Sequence, residues 1–299
     1  MRRVLLGPVL ALVVPLLSPL VPAAGAASAA TPTSAMATSD ATPGTTPGTT
    51  PGAPSACSLT PLPPSRALTT LRERIASAAT GRVRLVALGS STTVGMGLPD
   101  QSLRWPDQLM SGLLARGVPG QARTVAPLSP ESLTAAPGAR LVDGALPGAV
   151  SAQYVTEFAP ALVLERATGN APDIVLHMVG ADDYWAQLPP LVYRAGLESG
   201  LALLDAQPTQ PIHVFISTYR DPARTDPHIP WSAYTEQMRQ VAAEDPAHRL
   251  FVNLTPWFDA ADVPGSDPYG LLDSGGVHPS TAGHAKIAQL LLQALGYGC

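Results

Sequence analysis

The sequence predicts an α/β protein with three layers, in which helices cover both faces of a central, mainly parallel sheet of roughly five strands. Two observations carry this prediction. Short apolar runs rich in Val, Ile and Leu recur along the chain, as expected for strands buried on both faces. Segments with helical periodicity separate these runs, and an alternation of strands and helices is typical of layered α/β folds.

Five segments have the composition of buried strands. Four are strongly apolar, whereas the second contains Arg and Asp and is the weakest of the five. Each run follows a polar or Pro-containing loop, which favours a separate strand rather than the end of a helix. The predicted strands are 83–88, 140–145, 173–179, 212–217 and 249–254.

Helical periodicity fills the intervals between the strands. The last helix is predicted to begin after Ser280, a favourable N-cap residue, and to bury Ile287, Leu290, Leu291 and Leu295 on one face. The other predicted helices are 68–78, 103–117, 149–165, 191–206 and 231–244.

The first 56 residues have the features of export rather than of a fold. A basic start, an apolar run broken by prolines and the small residues Ala24-Gly25-Ala26 predict a signal peptide over 1–26. Residues 27–56 repeat Thr-Pro-Gly and predict a disordered stalk. We expect a globular domain over 57–299, secreted or held at the cell envelope, without stable insertion in the membrane.

The chain has two cysteines, Cys57 and Cys299, one at each end of the predicted domain. Because exported proteins meet an oxidising environment, we expect these two residues to form a disulfide. Two free thiols are the alternative.

Charge and motifs exclude several classes of partner. The formal net charge is −4 and Lys286 is the single lysine, so nucleic acid and anionic membranes are not expected to bind. His213, His228 and His248 lack the spacing of metal ligands. No phosphate-binding or dinucleotide-binding motif is present, and therefore no cofactor is predicted. The oligomeric state is left open.

The turn after the first predicted strand is the first candidate site. It contains Ser90 and Ser91, and ligands of open α/β sheets bind beyond the carboxyl ends of strands. A serine there either caps a helix or acts as a nucleophile, which needs a base. His278 precedes the last helix and is the candidate base, whereas His284 is expected to pack or to lie on the helix surface.

Four sequence blocks, in this order, resemble the SGNH hydrolases, also called GDSL-type lipases and esterases, over residues 82–296. "VALGSSTTVG" resembles the G-D-S-x-T block, with Ser91 at the nucleophile position. "GALPGAVS" resembles the second block, with Gly148 at the oxyanion glycine. "MVGADDYW" resembles G-x-N-D, with Asp182 at the position of the Asn and Asp183 matching the Asp. "GGVHPSTAGHAKIA" resembles D-x-x-H-P, with His278 as the base.

The resemblance implies a flavodoxin-like fold and a serine esterase or lipase. Ser91 would attack an ester carbonyl, His278 would move the proton, and the N–H groups of Ser91 and Gly148 would hold the oxyanion. A cell-envelope acyltransferase with the same site and a non-catalytic carbohydrate- or lipid-binding module remain as alternatives. Trp185 and Trp231, together with Tyr219 and Arg220, are candidates for an acyl or sugar pocket.

Three positions depart from the family pattern. Ser90 replaces an Asp, and Asp182 replaces the Asn that donates a hydrogen bond to the oxyanion. An ionised Asp182 only accepts hydrogen bonds, so its carboxyl is expected to be neutral or turned elsewhere. Gly275 stands where the family has its triad acid. We expect Asp273 or a backbone carbonyl to orient His278 instead.

Overall fold

The central sheet has five parallel strands in the order β2-β1-β3-β4-β5. The computed structural model describes residues 61–206, 209–217, 228–258, 267 and 269–298. All five predicted strands are present, including the weak second one, and the predicted three-layer fold is confirmed. The strands are β1 Arg82–Gly89, β2 Gly138–Ala145, β3 Ile174–Met178, β4 Ile212–Ser217 and β5 Arg249–Asn253.

Helices cover both faces of this sheet. The longer helices agree with the predicted ones to within a few residues at each end. The helices described are α1 Arg66–Ala76, α2 Ser91–Val94, α3 Trp105–Leu114, α4 Pro130–Leu133, α5 Ser151–Gln153, α6 Ala159–Ala167, α7 Ala181–Trp185, α8 Pro190–Asp205, α9 Trp231–Ala243, α10 Thr255–Phe258 and α11 Thr281–Ala294, with 3₁₀ turns at Ser77–Ala79 and Gln101–Leu103.

The predicted helix 149–165 is interrupted. Between α5 and α6 the chain makes one wide π turn, Tyr154–Phe158. Pro160, the second residue of α6, has no N–H to donate to the preceding turn, which disfavours a continuous α-helix through this point. The prediction of one continuous α-helix was therefore wrong, although the segment from Ser151 to Ala167 is helical throughout.

The core lies in two layers, one on each face of the sheet, because side chains alternate along each strand. Leu85 and Ala87 of β1 pack towards α1, α3 and α11, whereas Val86 and Leu88 pack towards α6, α8 and α9. In α11 the hydroxyl of Ser280 accepts a hydrogen bond from the Gly283 N–H at 3.2 Å, which confirms the predicted cap.

Several expectations lie outside the described residues. They are the signal peptide, the stalk, both cysteines of the expected disulfide, and Tyr219 and Arg220. In the part of the chain that the structure describes, no helix has the length and apolar character needed to cross a membrane.

Candidate active site

The sheet topology brings three loops together at one edge. Strand β1 lies between β2 and β3, so the chain moves to one side of β1 to form β2 and then crosses to the other side to form β3. Open α/β sheets bind ligands at such a switch point. Gly89, the last residue of β1, pairs with Ala145 of β2 and with Met178 of β3. The three loops that carry the family-like blocks therefore start at the same level of the sheet.

Ser91 is the first residue of α2, directly beyond the end of β1. The N–H groups of the first helical turn have no acceptor within the helix, so the Ser91 N–H is available to a ligand by position. The turn from β1 into α2 is tight. A Cβ atom on Gly89 would lie 1.9 Å from Thr93 Oγ1, which makes glycine necessary at this position.

Gly148 lies in the turn that follows β2. The Ala149 N–H donates to the Leu146 carbonyl at 3.1 Å, and Pro147 and Gly148 occupy the centre of this turn. Gly148 has φ 74°, the left-handed conformation that the third position of a type II turn requires. The residue is exposed, and it is not among those that line the cavity described next.

A cavity of about 180 Å³ brings the candidate nucleophile and the candidate base together. Ser91 and His278 both line it, although they belong to opposite ends of the domain. Trp185 contributes an indole that is 52% exposed. The lining residues are Ser91, Thr92, Ala181, Asp182, Tyr184, Trp185, Val277 and His278.

His278 is held in a tight loop that closes on Asp273. The Asp273 N–H donates to the His278 carbonyl at 2.7 Å, and Asp273 Oδ1 accepts from the Val277 N–H at 3.1 Å. Gly276, with φ 67°, allows the chain to reverse between them. Asp273 Oδ2 lies 3.9 Å from His278 Nδ1, a distance too long for a hydrogen bond. The carboxylate is thus beside the imidazole without touching it.

Asp182 lies on the first turn of α7 and faces the end of β1. Ser90, from the turn between β1 and α2, favours the ionised form of the Asp182 carboxyl. Its Oδ2 is buried and has no hydrogen-bond partner among the described residues. Burial raises the pKa of the Asp182 carboxyl above its ordinary value, while the nearby Ser90 side chain and the attraction of His278 oppose that rise.

Asp183, the next residue, is hydrogen-bonded to Ser151 at the start of α5. It is fully buried and accepts hydrogen bonds from the Ser151 N–H at 2.9 Å and from the Ser151 hydroxyl at 2.7 Å. Burial raises the pKa of Asp183 to about 6. Ser151 begins α5 soon after Gly148, so Asp183 connects the loop after β3 to the loop after β2. The sequence pattern marked Asp183 but gave no sign of this partner.

Arg104 is a supporting residue that no sequence motif marks. Its guanidinium donates to Asp107 at 2.8 Å, to Asp143 at 2.6 Å and to Thr124. Its side chain also packs on Gly95, where a Cβ atom would lie 2.4 Å from Arg104 Cγ. Arg104 therefore ties the end of α2 to β2. No local motif surrounds it, so only the tertiary contacts reveal this role.

Trp231 does not line the cavity. It is buried and packs edge-to-face on Tyr184, with ring centroids 5.6 Å apart. Its predicted place in a pocket was wrong, because α9 turns it towards the core. Over the residues that the structure describes, no group of three or more His, Cys, Asp or Glu side chains is arranged to hold a metal ion.

Comparisons with solved structures support the fold. The chain is similar to TesA, with a TM-score of 0.53 and 19% identity over 72% of this chain and 98% of that chain. It is similar to the esterase EstA from Pseudoalteromonas sp., with a TM-score of 0.50 and 17% identity over 72% and 97%. It is also similar to a two-domain esterase active on acetylated mannans, with a TM-score of 0.53 and 15% identity over 77% of this chain and 53% of that chain. No curated protein matches the sequence.

The family assignment comes from the sequence itself. The model of the GDSL-like lipase/acylhydrolase family matches residues 87–286, about two thirds of the chain. The match includes Ser91, Gly148, Asp182, Asp183 and His278, and it confirms the resemblance from which the site was predicted. The chain therefore belongs to the GDSL-like lipase/acylhydrolase family and is a hydrolase of the ester-cleaving type.

Proposed function

We propose that the protein is an exported serine esterase in which Ser91 is the nucleophile and His278 is the general base. The single observation that carries this proposal is the shared cavity. A serine at a helix N-terminus and a loop histidine line one pocket at the switch point of the sheet. Family membership supports ester hydrolysis as the reaction.

The reaction would proceed through an acyl-enzyme. Ser91 Oγ attacks the ester carbonyl carbon while His278 accepts the hydroxyl proton. The tetrahedral intermediate collapses, the C–O bond to the alcohol breaks, and His278 returns the proton to that alcohol. Water then attacks the acyl-serine, again with His278 as base, and releases the carboxylic acid and free Ser91.

Backbone N–H groups would carry the oxyanion of the intermediate. The Ser91 N–H is free of intrahelical bonding by its place in α2. In the described part of the chain the Gly148 N–H has no hydrogen-bond acceptor, and its turn leaves it exposed beside β1. Gly148 does not line the cavity, so its part requires a substrate that extends over the turn after β2.

Asp273 is the acid that would accompany His278. Backbone N–H groups fix its carboxylate 3.9 Å from the imidazole, close enough to favour the imidazolium that forms during the reaction. This arrangement replaces the acid that the family places three residues before the histidine.

The cavity supports a substrate with an apolar part next to the ester. Trp185 and Val277 are partly exposed at the cavity and offer apolar surface to an acyl chain or to the face of a sugar. One similar structure is an esterase active on acetylated mannans. With the export signal predicted by the sequence, this favours esters of the cell envelope or its surroundings.

The test is hydrolysis of p-nitrophenyl esters from acetyl to long acyl chains. Ser91→Ala and His278→Ala are expected to lose at least about 10³-fold in kcat. Ser199→Ala on α8 and His228→Ala are matched controls outside the cavity and are expected to retain activity. Unchanged hydrolysis by folded Ser91→Ala would overturn the proposal.

A second measurement separates the remaining alternatives. A fluorophosphonate should label Ser91 in the folded protein and should not label Ser91→Ala. Product analysis with an added sugar acceptor distinguishes water from a sugar hydroxyl as the acyl acceptor. Absence of both labelling and hydrolysis would favour a binding module.

A further inference from the structure

A small pocket lies between the sheet and α8, apart from the active-site cavity, and we call it the α8 pocket. Its volume is about 20 Å³, and it shares no lining residue with the cavity of Ser91 and His278. The two ends of the π turn, Tyr154 and Phe158, line it together with Gly200 of α8, where an added Cβ atom would have no neighbour within 4 Å. π turns are frequent at functional sites. The rest of the wall is largely apolar and includes Leu88, Leu162, Val179, Leu197 and Leu204.

Two polar side chains of this wall are buried without a full set of partners. Tyr154 and His177 are each 6% exposed, and the Tyr154 hydroxyl has no hydrogen-bond partner in the described part of the chain. His177 Nε2 lies 2.9 Å from His213 Nδ1, whereas no described residue bonds to His177 Nδ1. Ser151, the remaining polar side chain of the wall, already donates to Asp183 at 2.7 Å. Since a buried polar group without a partner is costly, the α8 pocket favours an occupant that forms hydrogen bonds.

Asp205, at the end of α8, determines which nitrogen of His177 carries the proton. Asp205 Oδ1 lies 2.9 Å from His213 Nε2, and the Arg249 guanidinium lies 3.4 Å from Asp205 Oδ2. A carboxylate only accepts hydrogen bonds, so neutral His213 is protonated at Nε2 and bare at Nδ1. His177 therefore donates from Nε2 to His213, which leaves its own Nδ1 as an acceptor. Burial lowers the pKa of both histidines and thus favours these neutral forms.

These groups select the chemistry of an occupant. The bare Nδ1 of His177 needs a donor and the Tyr154 hydroxyl can donate, so an O–H group, which both donates and accepts, suits the pair. None of the described lining residues is cationic, and Asp182 and Asp183 lie close enough to Tyr154 to act on its hydroxyl by their charge, so a carboxylate is disfavoured. The apolar wall disfavours an ammonium group. The small volume limits the carbon part of the occupant to a few atoms.

We propose that the α8 pocket is a binding site for a short aliphatic alcohol, whose hydroxyl donates to His177 Nδ1 and accepts from Tyr154, and whose alkyl group packs on the leucines of the wall. Binding is non-covalent and leaves the alcohol unchanged. An alcohol is also one product of ester hydrolysis. The pocket is separate from Ser91, however, so the binding does not rest on the proposed function and is expected in Ser91→Ala as well.

The test is a titration of the full chain, labelled with ¹⁵N at histidine, with 2-propanol and with acetone. The two probes share one carbon skeleton, but acetone has no O–H group to donate. NMR of the ring nitrogens reports directly on Nδ1, and His177→Asn identifies the resonances. We expect 2-propanol, in the wild type and in Ser91→Ala, to shift the His177 Nδ1 resonance to a saturating value, and acetone to give no saturating shift. Linear changes with both probes, as when water alone enters the pocket, or equal saturation by acetone would overturn the proposal.

Gly200→Leu tests the location of the site. The new side chain enters the open space of the α8 pocket, and leucine suits a helix interior better than glycine, so the fold should be retained while saturation by 2-propanol is lost. Ala195→Leu adds the same side chain on the exposed face of α8 and should bind as the wild type does. Tyr154→Phe removes one hydrogen bond and should raise the Kd for 2-propanol by roughly 5-fold. Unchanged binding of 2-propanol by folded Gly200→Leu would contradict the proposal.

Discussion

Asp273 Oδ2 lies 3.9 Å from His278 Nδ1, while the other oxygen of the same carboxylate accepts from the backbone of the loop that carries the histidine. The acid is therefore anchored to the loop rather than hydrogen-bonded to the imidazole. The two residues are five apart, and two glycines between them allow the loop to close. At this distance Asp273 acts on His278 through its charge rather than through a hydrogen bond.

Asp273→Asn tests how much this influence contributes. The amide oxygen can still accept from the Val277 N–H, so the loop should remain closed, and only the negative charge is lost. We expect kcat to fall by about 10- to 100-fold, measured on the best p-nitrophenyl ester. A triad acid that bonds directly to its histidine is worth roughly 10⁴-fold.

A loss as large as 10⁴-fold would show that Asp273 moves into contact with His278 when substrate binds. Ser274→Ala, in the same loop, is the control for a general disturbance of the loop. It should leave kcat near the wild-type value, because the hydrogen bonds that close the loop come from Asp273 and the backbone.

The positions of the strands along the chain and of the candidate site could be predicted from the sequence because both have local signals. Buried parallel strands appear as apolar runs, and the blocks around Ser91 and His278 follow such runs or precede a capped helix. The short helix after Gly89 and the cap at Ser280 are also local features, and the structure contains both.

Contacts between distant segments could not be predicted in this way. The hydrogen bonds from Ser151 to Asp183 join loops that follow different strands, and no spacing within either loop indicates the partner. Arg104 is a similar case, since its role depends on where α3 packs. The position of Gly148 outside the cavity likewise depends on the direction of a turn rather than on its motif.

Asp183 is expected to make stability depend on pH. Its pKa is raised to about 6 in the folded protein, so the folded state holds this proton more tightly than the unfolded chain, whose Asp pKa is near 3.8. The contribution of Asp183 to the free energy of unfolding is therefore full below about pH 4 and declines as the pH rises through 6. The shift of about two pH units corresponds to roughly 3 kcal/mol.

Asp183→Asn isolates this contribution. The amide does not titrate and retains one oxygen that can accept a hydrogen bond from Ser151. Its NH₂ group, however, replaces an oxygen that accepts hydrogen bonds in the wild type. We expect Asp183→Asn to be less stable than the wild type at pH 4 by about 1–3 kcal/mol. The difference should shrink by pH 7, as measured by urea unfolding. A difference that is constant between pH 4 and pH 7 would contradict the raised pKa.

His284 is expected to make the protein less stable as the pH falls, which is the opposite of the effect of Asp183. It is fully buried in α11, and its Nδ1 accepts a hydrogen bond from the Trp105 N–H at 3.2 Å. Burial, with smaller contributions from His278 and Arg104, lowers the pKa of His284 to about 4. The neutral imidazole therefore stabilises the fold above pH 6.5, and that stability is lost as the pH falls towards 4. The expected loss is roughly 3 kcal/mol.

His284→Asn removes this acid sensitivity while keeping an acceptor where Nδ1 lies. We expect the variant to be less stable than the wild type at pH 7, because the smaller side chain leaves space in the core. Between pH 6.5 and pH 4 its free energy of unfolding should fall by about 3 kcal/mol less than that of the wild type. Urea titrations at half-unit intervals of pH measure this, with exposed His228→Asn as the control. Parallel pH profiles for wild type and His284→Asn would show that His284 accepts a proton in the folded state at its ordinary pKa.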